Sequence, residues 1–426
     1  MKETIFSLAL LISASAISAQ DYPGYSLLWS DEFDGGYSNA DTETGLNLDT
    51  WNFETGNGDW GWGTGQRDYA TTDIENVEVS NGTLKIRTQR HNTAQTQEYT
   101  SGRINSKDKR NFTFGKIEAR IRTVNMTEKG RGFAFWLMPN GKYNGTQNLM
   151  WPQGGEIDIF EYNGMYPQYN LGSVHHAWKW NNNQWGGDGN HAHSGSIYNP
   201  LDRNFQYHNV GRSCGNDNMT ENKTNLLGAD WHIYGINWYE DRIEFYVDQD
   251  VYHVFYYYDE TWCGENQTND LGNHVNKAGF NFNKIENDNG VNQSHGSKWR
   301  PFENPFYIIL SAGVGGDATY GGNITAGNNP DKWTCTTEID WVRVYQSGSD
   351  IITATTSTET GINIFTTDNS VVIRNAPKGA LVKIIGIDGI VHYLATCTSS
   401  SEISIPLSSG YYVICCNDVA QKVLIR

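Results

Sequence analysis

Positive charge is scarce in this chain of 426 residues: 31 Lys and Arg face 48 Asp and Glu, a formal net charge of −17. No basic stripe is present to neutralise phosphates, which argues against nucleic acid as a partner. The same imbalance argues more mildly against strongly anionic polysaccharides, which would be repelled at long range, so a neutral polymer fits better. Long apolar runs are also missing. Beyond the N-terminal segment nothing approaches roughly 18 consecutive apolar residues, so no transmembrane helix is expected. Cysteines are few, with Cys214, Cys263 and Cys335 upstream and Cys397, Cys415 and Cys416 downstream. Three per region cannot all pair within regions, which excludes a disulfide-dense framework and leaves open a single bridge such as Cys214 to Cys263. Tryptophan is absent after Trp341, although fifteen occur from Trp29 to that point.

What is present begins with an export signal. Lys2, an apolar run from Ile5 to Ile17 and small residues ending at Ala19 have the layout of a signal peptide over 1–19. Cleavage is expected between Ala19 and Gln20, and the mature protein is expected to be exported as a soluble monomer. The loss of tryptophan marks an internal boundary. Residues 20–346 form a Trp-, Tyr- and Gly-rich region, 347–360 a Ser-, Gly- and Thr-rich linker, and 361–426 a small module of alternating Ile and Val.

The large region reads as all-β. Lys116-Ile117-Glu118-Ala119-Arg120-Ile121-Arg122 alternates polar and apolar residues as a half-buried strand does, and Arg242–Asp248 and Glu338–Tyr345 repeat the pattern. Many antiparallel strands joined by Gly- and Asn-rich turns imply a two-sheet sandwich of jelly-roll type, with a small β-sandwich module behind it. The Asn-rich stretches 181–225 and 264–298 are expected to be surface loops that shape a cleft.

Three acids stand within six residues, Glu156-Ile157-Asp158-Ile159-Phe160-Glu161. Glu156 and Asp158 are two apart, so a strand points them the same way, whereas Glu161 would face the opposite side. One extra residue, a β-bulge near Ile159-Phe160, would return Glu161 to the first face. The competing reading is a solvated strand face. Three like charges in close register are unfavourable unless one is protonated or they do chemistry. The flanks Trp151-Pro152-Gln153-Gly154-Gly155 and Tyr162-Asn163-Gly164 are rich in aromatics and turn formers, as a carbohydrate cleft would be. Two carboxylates flanking a bond, one attacking and one donating a proton, are the equipment of a glycosidase.

With these residues the chain resembles glycoside hydrolase family 16 over roughly residues 26–346. The acidic motif has the family's form Glu-x-Asp-x-x-Glu, and further matches follow in order: Trp29-Ser30-Asp31-Glu32-Phe33, Asn81–Ile86, Ser101-Gly102-Arg103-Ile104, Phe114–Arg120, Phe135-Trp136-Leu137-Met138-Pro139 and Ile339–Tyr345. The resemblance implies internal cleavage of a polysaccharide with retention of configuration, and no cofactor for catalysis. By motif position Glu156 would be the nucleophile, Glu161 the general acid/base, and Asp158 the residue that hydrogen-bonds the nucleophile. Charge on Glu156 and Asp158 is expected to raise the pKa of Glu161. Trp62, Arg103, Trp136, Trp151 and His175 match substrate-binding positions, each Trp having a core role as its alternative. A structural calcium would map to Glu32, the Gly82 carbonyl and Asp340, whose oxygens suit a hard cation. No complementary Cys/His set stands at metal-ligand spacing around His175-His176 or His191-Ala192-His193, so zinc is not expected.

The C-terminal module resembles the sorting domain of type IX secretion, on Leu407–Ile414 and the terminal Lys422-Val423-Leu424-Ile425-Arg426. Type IX machinery is then the expected export partner. A carbohydrate-binding module is the rival, although the segment has no Trp to stack on sugars. Gly61-Trp62-Gly63-Thr64-Gly65-Gln66 and Trp151-Pro152 look most like the family's β-1,3-glucanases, so the expected substrate is laminarin or a mixed-linkage β-1,3-1,4-glucan. Gln66-Arg67-Asp68-Tyr69 and Ser311–Asp317 depart from that pattern and keep agarose, β-galactan and poly-N-acetyllactosamine open. A non-catalytic glucan-recognition protein is the other alternative, but such proteins usually lack the Glu pair present here.

Overall fold

The computed structural model describes residues 22–91, 98–140, 142–143, 147–148, 151–177, 179–180, 191–201, 208–209, 213–214, 226–257, 267–282, 286–287, 301–316, 322, 324, 332–347, 363–367, 370–374, 376–386, 391–397, 403–408, 410–416 and 419–425. The signal peptide expected over 1–19, Cys263 of the suggested bridge and nearly all of the linker lie outside them. The chain divides into two compact units, Leu28–Tyr345 and one that includes Gln346–Arg426.

The strands that build the larger unit are β1 (Thr83–Arg90), β2 (Arg103–Asn105), β3 (Gly115–Val124), β4 (Arg131–Pro139), β5 (Glu156–Asn163), β6 (Asn170–Ala177), β7 (His191–Tyr198), β8 (His232–Trp238), β9 (Arg242–Val247), β10 (Asp250–Tyr256), β11 (His274–Gly279), β12 (Phe306–Val314) and β13 (Trp333–Ser347). One sheet runs β11-β10-β9-β8-β3-β13-β1, and the other runs β7-β6-β5-β4-β12-β2. Every pairing in the second sheet is antiparallel.

Strand β4 shows why these residues fold this way. Arg131, Phe133, Phe135, Leu137 and Pro139 are buried, while Gly132, Ala134, Trp136 and Met138 between them are half-buried. That is the period of two expected of a strand with one face in a core. Phe133, Phe135 and Leu137 meet Ile117, Ala119 and Ile121 of β3 in one apolar cluster fed by both sheets. The ring of Phe160 on β5 lies 4.2 Å from that of Tyr234 on β8, and Trp238 on β8 meets Phe306 on β12 edge-on at 5.3 Å. Aromatic pairs at these separations add directional contacts to area burial. The sheets approach closely at Gly172 of β6, where a Cβ would lie 2.2 Å from the Tyr252 hydroxyl of β10. A two-sheet, all-β sandwich was the expected architecture, and it is the one observed.

The Asn-rich stretches need correction. Within 181–225 the chain forms β7, and within 264–298 it forms β11. Both carry polar residues inward that find partners: buried Asn276 donates to the Ser196 hydroxyl at 2.8 Å. Hydrogen-bonded polar groups are tolerated in an interior, so composition alone misreads such strands as loops.

The smaller unit has its own core. A three-stranded sheet orders Asn363–Thr367, Ser370–Arg374 and Ile403–Pro406. A four-stranded one orders Val391–Thr396, Leu381–Gly386, Gly410–Cys416 and Val419–Ile425. Val371, Ile373, Val382, Ile384 and Ile414 are fully or almost fully buried in one cluster between them.

Candidate active site

Strand β5 contains the bulge. Against β4, Phe135 pairs with Phe160 but the next residue, Trp136, pairs with Asp158, leaving Ile159 unmatched. Against β6, Asp158 pairs with Ser173 and Glu161 with Leu171, so three steps on β5 answer two on β6. The extra residue sends Ile157, Ile159 and Phe160 into the core, and leaves Glu156 and Glu161 half-exposed with Asp158 between them.

Neighbouring strands supply each acid with a different setting. Glu156 accepts a hydrogen bond from Trp151 Nε1 at 2.5 Å and shares another with Asp158. Asp158 accepts from the Ser173 hydroxyl at 2.8 Å, and its Oδ2 lies 3.1 Å from His175 Nε2. Burial, then the Asp158 charge, raises Glu161 to about 8, with His175 pulling it back. Burial and Asp158 likewise raise Glu156 to about 8, opposed by His175 and by Trp151. Like carboxylates sharing a buried site cannot all ionise at neutral pH. The donor from Trp151 stabilises the anion of Glu156, while the hydrogen bond shared with Asp158 works the other way. Burial works against charge on His175, but Glu156, Asp158 and Glu161 outweigh it and hold the imidazolium to about pH 9. For Glu161, burial therefore contributes more than the neighbouring charges named in the sequence analysis.

The five residues matched to substrate-binding positions gather on this same face. Trp136 pairs with Asp158 across the strands and donates through Nε1 to the Ser311 hydroxyl at 3.1 Å. Arg103 is buried with its guanidinium 4.3 Å from the Trp62 ring centroid and 5.2 Å from that of Trp136. Its Nε donates to Glu54 at 2.5 Å, so the cation is neutralised and braces two aromatic rings. Trp62 holds φ 56 within the turn Gly61–Gly65, and its buried Nε1 has no hydrogen-bond partner among the described residues. Trp151 and His175 flank the acids directly. A pocket lined by Thr64, Gln66, Arg131, Glu161, Ser311 and Gly313 opens beside Glu161. Of the departing loop, Gln66 faces this pocket, while Asp68 is buried and accepts from the Val314 backbone N–H at 2.7 Å.

Sequence reasoning missed Glu54, Ser173 and Ser311, and it did not bring His175, His191 and His193 together. His175 and His193 are direct partners across β6 and β7, and His191 lies on the same face. His175 Nδ1 is 2.8 Å from His191 Nε2, and the three rings stack at centroid distances of 5.0, 5.3 and 5.5 Å. Burial, then the charge of His175, pushes His191 down to about 3 and His193 to about 4. A three-residue metal-capable cluster thus exists where spacing along the chain suggested none.

The calcium positions are not assembled as a cage of free oxygens. Glu32 accepts from Arg343 through both carboxylate oxygens at 2.9 and 2.7 Å, and Asp340 from Arg120 at 2.6 Å. Arg343 thus holds both carboxylate oxygens of Glu32 and Arg120 holds Oδ2 of Asp340, so a calcium ion here would draw on Asp340 Oδ1 and main-chain carbonyls such as that of Gly82.

The glycosyl hydrolases family 16 model matches residues 66–292, more than half of the chain and spanning the acidic motif. The chain belongs to this family. A glucan endo-1,3-beta-glucosidase A1 from Niallia circulans is 28% identical over 76% of this chain, which covers 38% of that longer protein. A beta-glucanase from Rhodothermus marinus is 29% identical over 81% of this chain and 95% of its own length. Among solved structures, a laminarinase catalytic domain from Thermotoga maritima matches 76% of this chain and 98% of its own with a TM-score of 0.50 at 26% identity. The family 16 chain described here shares with that domain a jelly-roll fold of two sheets.

Proposed function

We propose that this chain is an endo-acting, retaining hydrolase of β-1,3-glucan, laminarin first and mixed-linkage β-1,3-1,4-glucan second. The observation that carries the reading is the unequal partnering of the two glutamates. Burial and the Asp158 carboxylate act on both glutamates, but Glu156 alone of the two is given the Trp151 N–H to stabilise its anion, so the proton is assigned to Glu161. That division is what a double displacement requires. Glu156 attacks the anomeric carbon while Glu161 protonates the departing glycosidic oxygen. Glu161, now a carboxylate, then takes a proton from the water that releases the glycosyl group from Glu156. Asp158, fixed by Ser173 and His175, holds the nucleophile in place through the hydrogen bond they share.

The substrate class rests on the names of the relatives, two of which are glucan hydrolases, and on a face paved with Trp62, Trp136 and Trp151. Tryptophan rings offer flat apolar platforms for pyranose rings. No helix among the described residues is long and apolar enough to cross a membrane. Export through the segment 1–19, and sorting by the module 361–426 through type IX machinery, complete the proposal on the sequence features already given.

Reducing-sugar release from laminarin tests the activity, with Glu156→Gln as the control. The wild type is expected to release reducing ends progressively and the variant none above background. Laminarin binding without release by the wild type would replace the hydrolase reading with glucan recognition.

A further inference from the structure

We propose that His175, His191 and His193 form a binding site for one borderline divalent transition-metal ion of the zinc class, at the edge of the acidic cleft. This goes beyond the hydrolase reading: binding of the ion does not depend on it, and only its effect on sugar release rests on that reading. One ring nitrogen from each histidine lies within 4.8 Å of the other two. The tightest pair, His175 Nδ1 and His191 Nε2, stands at 2.8 Å, a contact that needs a proton between the two nitrogens. Two imidazole nitrogens on one tetrahedral zinc ion, each about 2.0–2.1 Å from it, lie about 3.3 Å apart. Replacing the shared proton by a metal ion therefore asks these rings to separate by about half an ångström.

The second observation concerns the far side of His175. Its Nε2 faces Asp158 Oδ2 at 3.1 Å, while its Nδ1 faces the other histidines. A ligating histidine characteristically gives its remaining ring nitrogen to a carboxylate, which fixes the ring and raises its basicity. That arrangement is already built. The strands hold it: β6 and β7 pair through His175 and His193, and His191 sits two residues from His193, so all three project from the same face. All three side chains are half-buried, which leaves solvent at the remaining coordination position. Imidazole-only sites select zinc, copper and nickel over calcium and magnesium.

Binding exchanges a proton for the ion: the metal takes the Nδ1 lone pair of His175, and the displaced proton goes to solvent. It also places the ion beside Trp151, whose ring centroid is 4.6 Å from that of His191. Sugar binding on that platform should then be obstructed.

Isothermal titration of untagged, EDTA-treated, full-length protein with zinc chloride tests the site, alongside His193→Gln and the double variant His191→Gln/His193→Gln. The wild type is expected to bind one saturable equivalent, weakened at least about tenfold in the single variant and abolished in the double. Cobalt(II) should give tetrahedral visible absorption with the wild type only. Circular dichroism melts confirm that the variants are folded. Release of reducing sugar in the same titration should fall in step with occupancy. Equal zinc affinity in wild type and double variant, or full occupancy with unchanged hydrolysis, would overturn the assignment.

Discussion

Glu156→Ala is expected to lose hydrolysis of laminarin by on the order of 10⁴-fold or more, and azide is expected to restore turnover as an α-glycosyl azide. Removing the nucleophile stops formation of the glycosyl-enzyme, and no neighbouring group can replace it. Asp158 is held by Ser173 and His175 and is one carbon shorter. A small anion can enter the space vacated by the carboxylate and attack from the same side, inverting the anomeric centre once. NMR of the product reads the outcome directly. A β-azide from this variant would exchange the assigned roles of Glu156 and Glu161.

Glu161→Gln carries the next largest effect. Loss of a general acid costs roughly 10²–10⁴-fold when the leaving group is a sugar hydroxyl. The loss should shrink for aryl glycosides whose leaving phenol needs no proton. The pH profile gives an independent reading. Glu161 works in its protonated form and its pKa is raised to about 8 by burial and then by Asp158. Wild-type kcat/KM should therefore fall as the pH rises through that value. In Glu161→Gln this alkaline limb should vanish, because glutamine has no proton to lose. An unchanged limb would assign it to another group.

Much of this site can be read from one strand of sequence, and the reason is geometric. The spacing of Glu156, Asp158 and Glu161 allows a shared face only if one residue is extra, and the register shows Ile159 in that place. Trp136 and Trp151 likewise stand in segments whose local pattern carries their role. Ser173, His191, His193 and Glu54 could not be found this way. Each acts across a strand pairing or between remote loops, and which residues oppose each other depends on register, which no single segment encodes. The histidines show the limit clearly. As neighbours along the chain they lack metal-ligand spacing, yet pairing of β6 with β7 sets His175 opposite His193. Burial was the other hidden quantity, because desolvation of Glu161 depends on what the rest of the fold places around it.

The unmatched Ile159 ties the length of the motif to the regularity of its strand. Deleting that one apolar residue would let β5 pair regularly with both neighbours, and by the alternation of a strand Glu156, Asp158 and Glu161 would still share the cleft face, with Ile157 and Phe160 inward. Regular pairing of the present six residues, with none left unmatched, is what would turn Glu161 toward the interior, where a carboxyl group is costly. A five-residue motif with acids at alternate positions would keep the same cleft, so the count of residues and the bulge can change only together.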